Sequence, residues 1–451
     1  MLITCLNKST RLVHSIVTVH YQPRSSWVFC ASLNSWALAM KKASSSASPL
    51  QALHLYSQLQ RQYHPVDSFS ILFALKSCTH VFHGINIIRH LHAHLFKLGF
   101  GANTYVATSL LHAYAIQHFH DARILFDEMP SRNAVTWNVM ITGFSRQGDV
   151  RNACTFFDDM PLRDLGSWSA MIAGYMNNAC WREGLALFRK MAGDNLLKPD
   201  QMILCTVLSG CGLIGSAGLL LGKSVHGFAT KIEWELNVEV STCLMDLYLK
   251  HGLLSNAFFM FNMVRDCNVV TWTTLICGAA QNGYGKEALL IFEKMMKSGE
   301  KPNELTFTGI LTACVQAGMV EEGRRYFRML DEFGLRPRIQ HYGCMIDLFG
   351  KAGLLGDAYE VISTMPLEPN VVIWSSFLSS CKLHRQFKMA EKVIDQVMRM
   401  VQPQNDGGVY SLISDLYVLN GKWTEAERLR KYMCNHVRKV RGSSCVTSGV
   451  L

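Results

Sequence analysis

One pattern recurs along this chain at intervals of about 31 to 36 residues: Trp-x-x-(Leu/Met)-Ile, then Gly or Ala, Ala or Gly, Phe and Met. A period in this range excludes a single globular core, because each copy is one supersecondary unit that must bury its apolar face against the next copy. The clearest copy runs from Val269 to Asn303, with Trp272, Leu275, Ile276, Gly283, Ala288, Phe292, Met295 and Pro302 at the recurring places.

Each copy reads as two helices. Trp272, Leu275, Ile276 and Ala279 fall at i, i+3, i+4 and i+7, one face of a helix with about 3.6 residues per turn. Gly283 ends that helix. Ala288, Leu289, Phe292 and Met295 repeat the spacing in a second helix, which Gly299 and Pro302 close as a Gly stop followed by Pro. The expected fold is therefore all-α, a right-handed α-solenoid superhelix of stacked helix-turn-helix repeats, with Ala288 where helices approach closely and Trp, Phe and Met between them.

The same frame places ten repeats over 33–370: 33–67, 68–103, 104–133, 134–164, 165–200, 201–237, 238–268, 269–303, 304–338 and 339–370. Two degenerate pairs follow, 371–404 with Trp374 and Leu378, and 405 to about 440 with Tyr410, Tyr417, Ala426 and Met433. Repeats ending in Met-Pro and a short polar tail are the short ones, those ending in Lys-Pro-Asp or Lys-Pro-Asn are longer, and a third type has Leu-x-x-Cys, as at Leu75–Cys78, Leu208–Cys211 and Leu311–Cys314.

Charge narrows the function. The net charge is +10, but Lys8, Arg11, Arg24, Lys41, Lys42 and Arg61 lie in residues 1–66 without one Asp or Glu, so the rest of the chain carries only four of the ten. A polyanion held by such an array is gripped by more than bulk charge, and its affinity should fall only modestly with salt. Residues 1–32 are basic, contain Ser and Thr and lack acids, which reads as an organelle transit peptide, to the mitochondrion or alternatively the chloroplast. No apolar run reaches the 18 or so residues of a spanning helix, and no membrane partner is expected.

Fifteen cysteines include no Cys-x-x-Cys, and Cys78, Cys211 and Cys314 share one place in their repeats, the place of a small buried residue. His90 and His94 share a helical face, but no carboxylate or Cys completes a ligand set, so neither a metal nor another cofactor is expected. A zinc cytidine deaminase needs His-x-Glu and Pro-Cys-x-x-Cys, and the chain has neither, nor a P-loop, a Gly-x-Ser-x-Gly elbow or His-Glu-x-x-His. No enzyme activity is expected.

VTWNVMITGFSRQGDVRNACTFFDDMP and VVTWTTLICGAAQNGYGKEALLIFEKM resemble pentatricopeptide repeats, and the alternation of long, Leu-Cys and short units resembles the plant subclass that mixes these types. Residues 371–446, ending in RKVRGSSCV, resemble the extension motifs of that family's editing-factor branch, with a tail at 447–451. The resemblance implies single-stranded RNA as partner, one base per repeat, chosen by the fifth and last residues of each repeat. Carried onto this sequence, the pairs are Thr108 with Asn133, Asn138 with Asp164, Ser169 with Asp200, Thr242 with Asn268, and Thr273 with Asn303. By the family's rules these prefer A, U, G, A and A. Weaker readers are Asp67 with Ala37, Asn103 with Leu72, Asn237 with Cys205, Thr308 with Arg338, and Asn370 with Gly343. The implied preference is NNAUGNAANN. The resemblance further implies C-to-U editing of a downstream cytidine by a deaminase of the DYW type supplied in trans with other editing-complex proteins. The alternatives are a factor for transcript stabilisation, processing or splicing, or a helical-repeat scaffold that binds protein and not RNA. Asn and Asp at repeat ends also suit the N-cap of the next helix, and Trp36, Trp137, Trp168, Trp272 and Trp374 suit the core better than base stacking.

Overall fold

The computed structural model describes residues 33–436 except 46–48, 62–64, 82–83, 194–196, 235 and 403–405. The expected leader at 1–32, the RKVRGSSCV stretch at 438–446 and the tail at 447–451 lie outside the described residues. Among the described residues there are 24 α-helices, a 3-10 turn at Phe100–Ala102 and no strand, in agreement with an all-α reading. None of these helices is long and apolar enough to cross a membrane.

The chain divides into two compact bodies, residues 1–210 and 211–451. In the first, α1 (Leu33–Ser45) and α2 (Pro49–Arg61), α3 (Ser68–Cys78) and α4 (Ile85–Lys97), α5 (Thr104–Gln117) and α6 (Phe119–Glu128), α7 (Ala134–Arg146) and α8 (Val150–Asp159), and α9 (Leu165–Asn177) and α10 (Trp181–Gly193) form hairpins, followed by α11 (Gln201–Cys211). The second begins with α12 (Ser216–Lys231) and continues through α13 (Val238–Lys250), α14 (Leu254–Met263), α15 (Val269–Gln281), α16 (Gly285–Ser298), α17 (Glu304–Ala317), α18 (Val320–Glu332), α19 (Ile339–Lys351) and α20 (Leu355–Thr364). It closes with α21 (Val371–Leu383), α22 (Phe387–Met400), α23 (Gly407–Leu419) and α24 (Trp423–His436). From α1 to α9 and from α13 to α23 the odd-numbered helices stack in one layer, and the even-numbered helices between them lie against the odd-numbered helices before and after.

The recurring residues explain this stack. Trp168 and Trp272 are buried, and each meets the Phe of the preceding even-numbered helix edge to face: Phe157 with Trp168 at 5.3 Å and Phe261 with Trp272 at 4.6 Å between ring centroids. Phe292 and Met295 are buried as well, and losing a side chain such as Phe292 to Ala would cost about 3–5 kcal/mol. Gly283 takes the left-handed conformation at φ +84°, which lets the chain turn between α15 and α16 without strain. Cys78, Cys211 and Cys314 are fully buried. Burial pushes the Cys78 and Cys314 thiols up to about 12 and that of Cys211 to about 11, so they fill space as neutral, unreactive groups.

Neighbouring odd-numbered helices are also tied at their C-terminal ends. Asn282 Nδ2 donates to the Leu249 carbonyl at 2.8 Å and to Gly278 at 2.7 Å, and Asn178 Nδ2 binds the Ser145 and Gly174 carbonyls at 2.8 Å each. These amides take up carbonyls that the helix ends would otherwise leave unpaired.

Candidate nucleic-acid interface

Nine of the odd-numbered helices, α3 to α17 and α21, begin in the same way, and the last residue of the preceding repeat is what starts them. Asn133 Oδ1 accepts from the Thr136 amide at 2.9 Å, Asp164 Oδ1 from Ser167 at 2.8 Å, Asp200 Oδ1 from Ile203 at 2.9 Å, Asn268 Oδ1 from Thr271 at 3.0 Å and Asn303 Oδ1 from Thr306 at 2.9 Å. The weaker set does the same: Asp67 accepts from Ser70, Asn103 from Tyr105 and Val106, Asn237 from Glu239 and Val240, and Asn370 from Ile373. An N-cap of this kind stabilises the helix by about 1 kcal/mol. It also fixes the side chain's orientation, because the oxygen spent on the helix leaves an Asn amide NH2, or the second Asp oxygen, turned away from it.

The fifth residue of each repeat lies one turn into the odd-numbered helix, and in three repeats it is linked to the cap that starts the next one. Asn138 Nδ2 is 3.5 Å from Asp164 Oδ1. Thr242 and Asn268 are joined through Thr271, whose hydroxyl is 3.1 Å from that of Thr242 and donates to Asn268 Oδ1 at 3.1 Å. Thr273 and Asn303 are joined likewise through Thr306, at 2.7 and 2.9 Å. No hydrogen bond joins Thr108 to Asn133 or Ser169 to Asp200; Thr108 donates instead to the Thr104 carbonyl at 2.6 Å. Thr108 and Thr273 are buried, whereas Asn138, Ser169, Thr242 and Thr308 are half-buried. Ala37, Leu72, Cys205 and Gly343 stand at the same register and are half-buried too.

Two features of the site bear on what it can bind. Asn138 Oδ1 is buried without a hydrogen-bond partner, a strained arrangement that an incoming donor would relieve. The Asp164 carboxyl is pushed up by partial burial but pulled down further by the Ser167 amide and hydroxyl and by Asn138, so it rests below its ordinary value and is an ionised acceptor at neutral pH.

A second row of residues runs beside the caps, and periodicity alone does not reveal it. Phe69, Tyr105, Val135, Met202, Val270, Leu305 and Val372 each hold the second place of their helix, and each is between 54% and 76% exposed. These apolar side chains, bared at one register in seven helices, are not packing residues and form an exposed apolar row beside the caps. The sequence does hold a signal for them. Val270 lies about 200° around the helix from Trp272, off the buried stripe altogether.

No three His, Cys, Asp or Glu side chains among the described residues converge in a way that could hold a metal ion. His94 is instead engaged with Tyr56 Oη and Gln60 Nε2, both 2.9 Å from its Nδ1.

Models of the PPR repeat match residues 128–161, 166–196, 240–269, 305–335 and 341–368, and a model described as the PPR repeat family matches 267–316. Pentatricopeptide repeat-containing protein At1g33350 of Arabidopsis thaliana is 40% identical over 403 residues, covering 87% of this chain and 74% of its own length. Pentatricopeptide repeat-containing protein At1g09220, mitochondrial, from the same plant is 37% identical over 416 residues, covering 88% of this chain and 82% of its own. The crystal structure of the pentatricopeptide repeat protein PPR10 in complex with an 18-nt psaJ RNA element is similar in fold, with a TM-score of 0.66 at 16% identity over 95% of this chain. The likeness covers 62% of the PPR10 chain, so this sequence spans less than two thirds of it.

Proposed function

The chain belongs to the pentatricopeptide repeat family, and on that premise we propose that it is a sequence-specific reader of single-stranded organellar RNA that marks a site for C-to-U editing and recruits a deaminase in trans through residues 371–446. The single observation that supports base reading is the fixed orientation of the repeat-end caps. An end Asn, its oxygen bound to the helix, presents N–H donors; an end Asp presents an acceptor. Adenine and cytosine carry a ring-nitrogen acceptor on the Watson-Crick edge, and uracil and guanine carry a ring N–H. Asn ends therefore suit A or C, and Asp ends suit U or G. The fifth residue then decides size: Thr or Ser leaves room for a purine, and the longer Asn138 favours a pyrimidine. Applied along the repeats, this gives NNAUGNAANN, with the apolar row beside the caps lying against the faces of the bases. Several relatives carry "mitochondrial" in their names, and the acid-free basic stretch over residues 1–66 supports the same destination for this chain.

The test varies the fourth nucleotide of an RNA with this preference. Wild-type protein should hold U there, and Asn138→Thr should move the preference toward G by about tenfold in relative affinity, the scale of one well-made pairing. Equal binding of all four RNAs by both proteins would end the base-reading proposal.

A further inference from the structure

The ninth repeat breaks the rule of the caps. It ends in Arg338, a side chain with donors only, which cannot accept the amides of the helix that follows. His341, 1% exposed, ties that helix start instead: its Nδ1 accepts from the Arg338 amide at 2.9 Å, and its Nε2 donates to the Glu304 carbonyl at 2.8 Å. The Arg338 guanidinium turns to the Glu304 carboxylate, 2.5 Å away, and remains 63% exposed. Thr308, the fifth residue of this repeat, is one turn along from Glu304 and donates to its carbonyl at 3.0 Å. Beside them opens a cavity of about 630 Å3 bordered by Glu304, Arg336, Arg338, Leu367, Glu368 and Asn370. It reaches from the end residue of the ninth repeat to that of the tenth, the interval one nucleotide occupies when each repeat takes one base.

We propose that Glu304 and Arg338 together form a guanine-selective site, so that the ninth repeat is a reader and not a silent position; this rests on the base-reading function proposed above. Of the four bases only guanine offers two adjacent N–H donors, at N1 and N2, with an acceptor, O6, next to them. A carboxylate takes the two donors side by side, and a guanidinium next to it donates to O6. Adenine and cytosine give the carboxylate a single amino group with a ring-nitrogen lone pair beside it, which repels the charge. Uracil gives it one N–H between two carbonyl oxygens. Leu367 and Pro337, also on the cavity wall, supply apolar surface for the ring faces.

The experiment measures binding of the full chain to RNAs that keep AUG at the third to fifth nucleotides and vary the ninth. Guanine should be preferred by about tenfold over each other base. Glu304→Gln and Arg338→Lys should each cut that preference to about threefold or less, with the choice of U at the fourth nucleotide unchanged. The exchange Glu304→Arg with Arg338→Glu restores the ion pair and the melting midpoint but not the preference for guanine. Equal affinity for the four bases at the ninth place, A or C bound as tightly as G, or variants that weaken all four RNAs alike would overturn the assignment. In those cases retained discrimination at the fourth nucleotide leaves base reading standing, whereas loss of discrimination at both places removes the two proposals together.

Discussion

Asp164 serves the fold and the proposed reading with one carboxylate. Its Oδ1 takes the Ser167 amide and hydroxyl at 2.8 and 2.9 Å, and Asn138 approaches the same oxygen. Burial raises the carboxyl and these bonds lower it by more, so the folded value lies under the ordinary 3.8. A group depressed in the folded state stabilises it above its unfolded value, and that stabilisation disappears as the pH falls through the folded one. Asp164→Asn should therefore flatten the loss of stability below about pH 4, as followed by urea midpoints between pH 5 and 2.5, and an unchanged slope would separate the carboxylate from the acid transition. The same substitution turns an acceptor into a donor, and with Asn138 still favouring a pyrimidine the preferred fourth base should move from U to C. Asn138 and Asp164 were legible as a pair because the resemblance assigns base choice to the fifth and last residues of each repeat, and the recurring Trp and Met-Pro landmarks fix which residues those are. The orphaned Asn138 oxygen, and His341 standing in where Arg338 cannot cap, were not, since each depends on side-chain directions that spacing leaves open.

Among elements, neighbouring odd-numbered helices pack directly on one another, and small residues set how near they come. A Cβ on Gly278 would stand 2.4 Å from Leu249 Cδ1 and 2.8 Å from its Cβ, so the neighbouring helix would have to give way. Gly227, exposed on α12, would meet nothing within 4 Å. Opposite outcomes are expected from one chemical change. Gly278→Ala should destabilise the second body by about 1–3 kcal/mol through overpacking, and Gly227→Ala should stabilise its helix by about 0.5–1 kcal/mol by removing glycine's freedom when unfolded. Paired denaturation curves decide, and equal shifts would show that α13 and α15 are not in close contact. The helix pairs themselves were readable because Trp, Leu and Ile recur with a period near 3.6 on one face and glycine interrupts them. The clamps of Asn178 and Asn282 and the exposed row at Val135 and Val270 were not read. A periodic stripe says which side of a helix is buried, but not what the opposite side or the helix ends will meet.

For the molecule as a whole, the caps and fifth residues recur in both bodies, while positive charge is concentrated in residues 1–66, ahead of nearly all the reading pairs. On the proposed function, with little net charge beyond residue 66 and about four phosphates met, the slope of log affinity against log salt would be only about −3, and discrimination would come from hydrogen bonds and stacking at the repeats. Beyond the last pair the hairpin architecture continues through α21 to α24, where Leu383, Leu419 and Trp423 are exposed at helix ends. On the proposed function, reading and recruitment belong to different stretches and should separate experimentally. A chain ending at residue 370 should hold its RNA within about threefold of the full chain, because the bases it discriminates are chosen before that point. In plants that lack the full protein, the shortened chain should fail to restore conversion of a cytidine downstream of AUGNAA, as read by sequencing organelle RNA. Restored conversion would remove residues 371–451 from the recruiting step, and lost RNA affinity in a chain whose helical content and melting midpoint are intact would place part of the reading there.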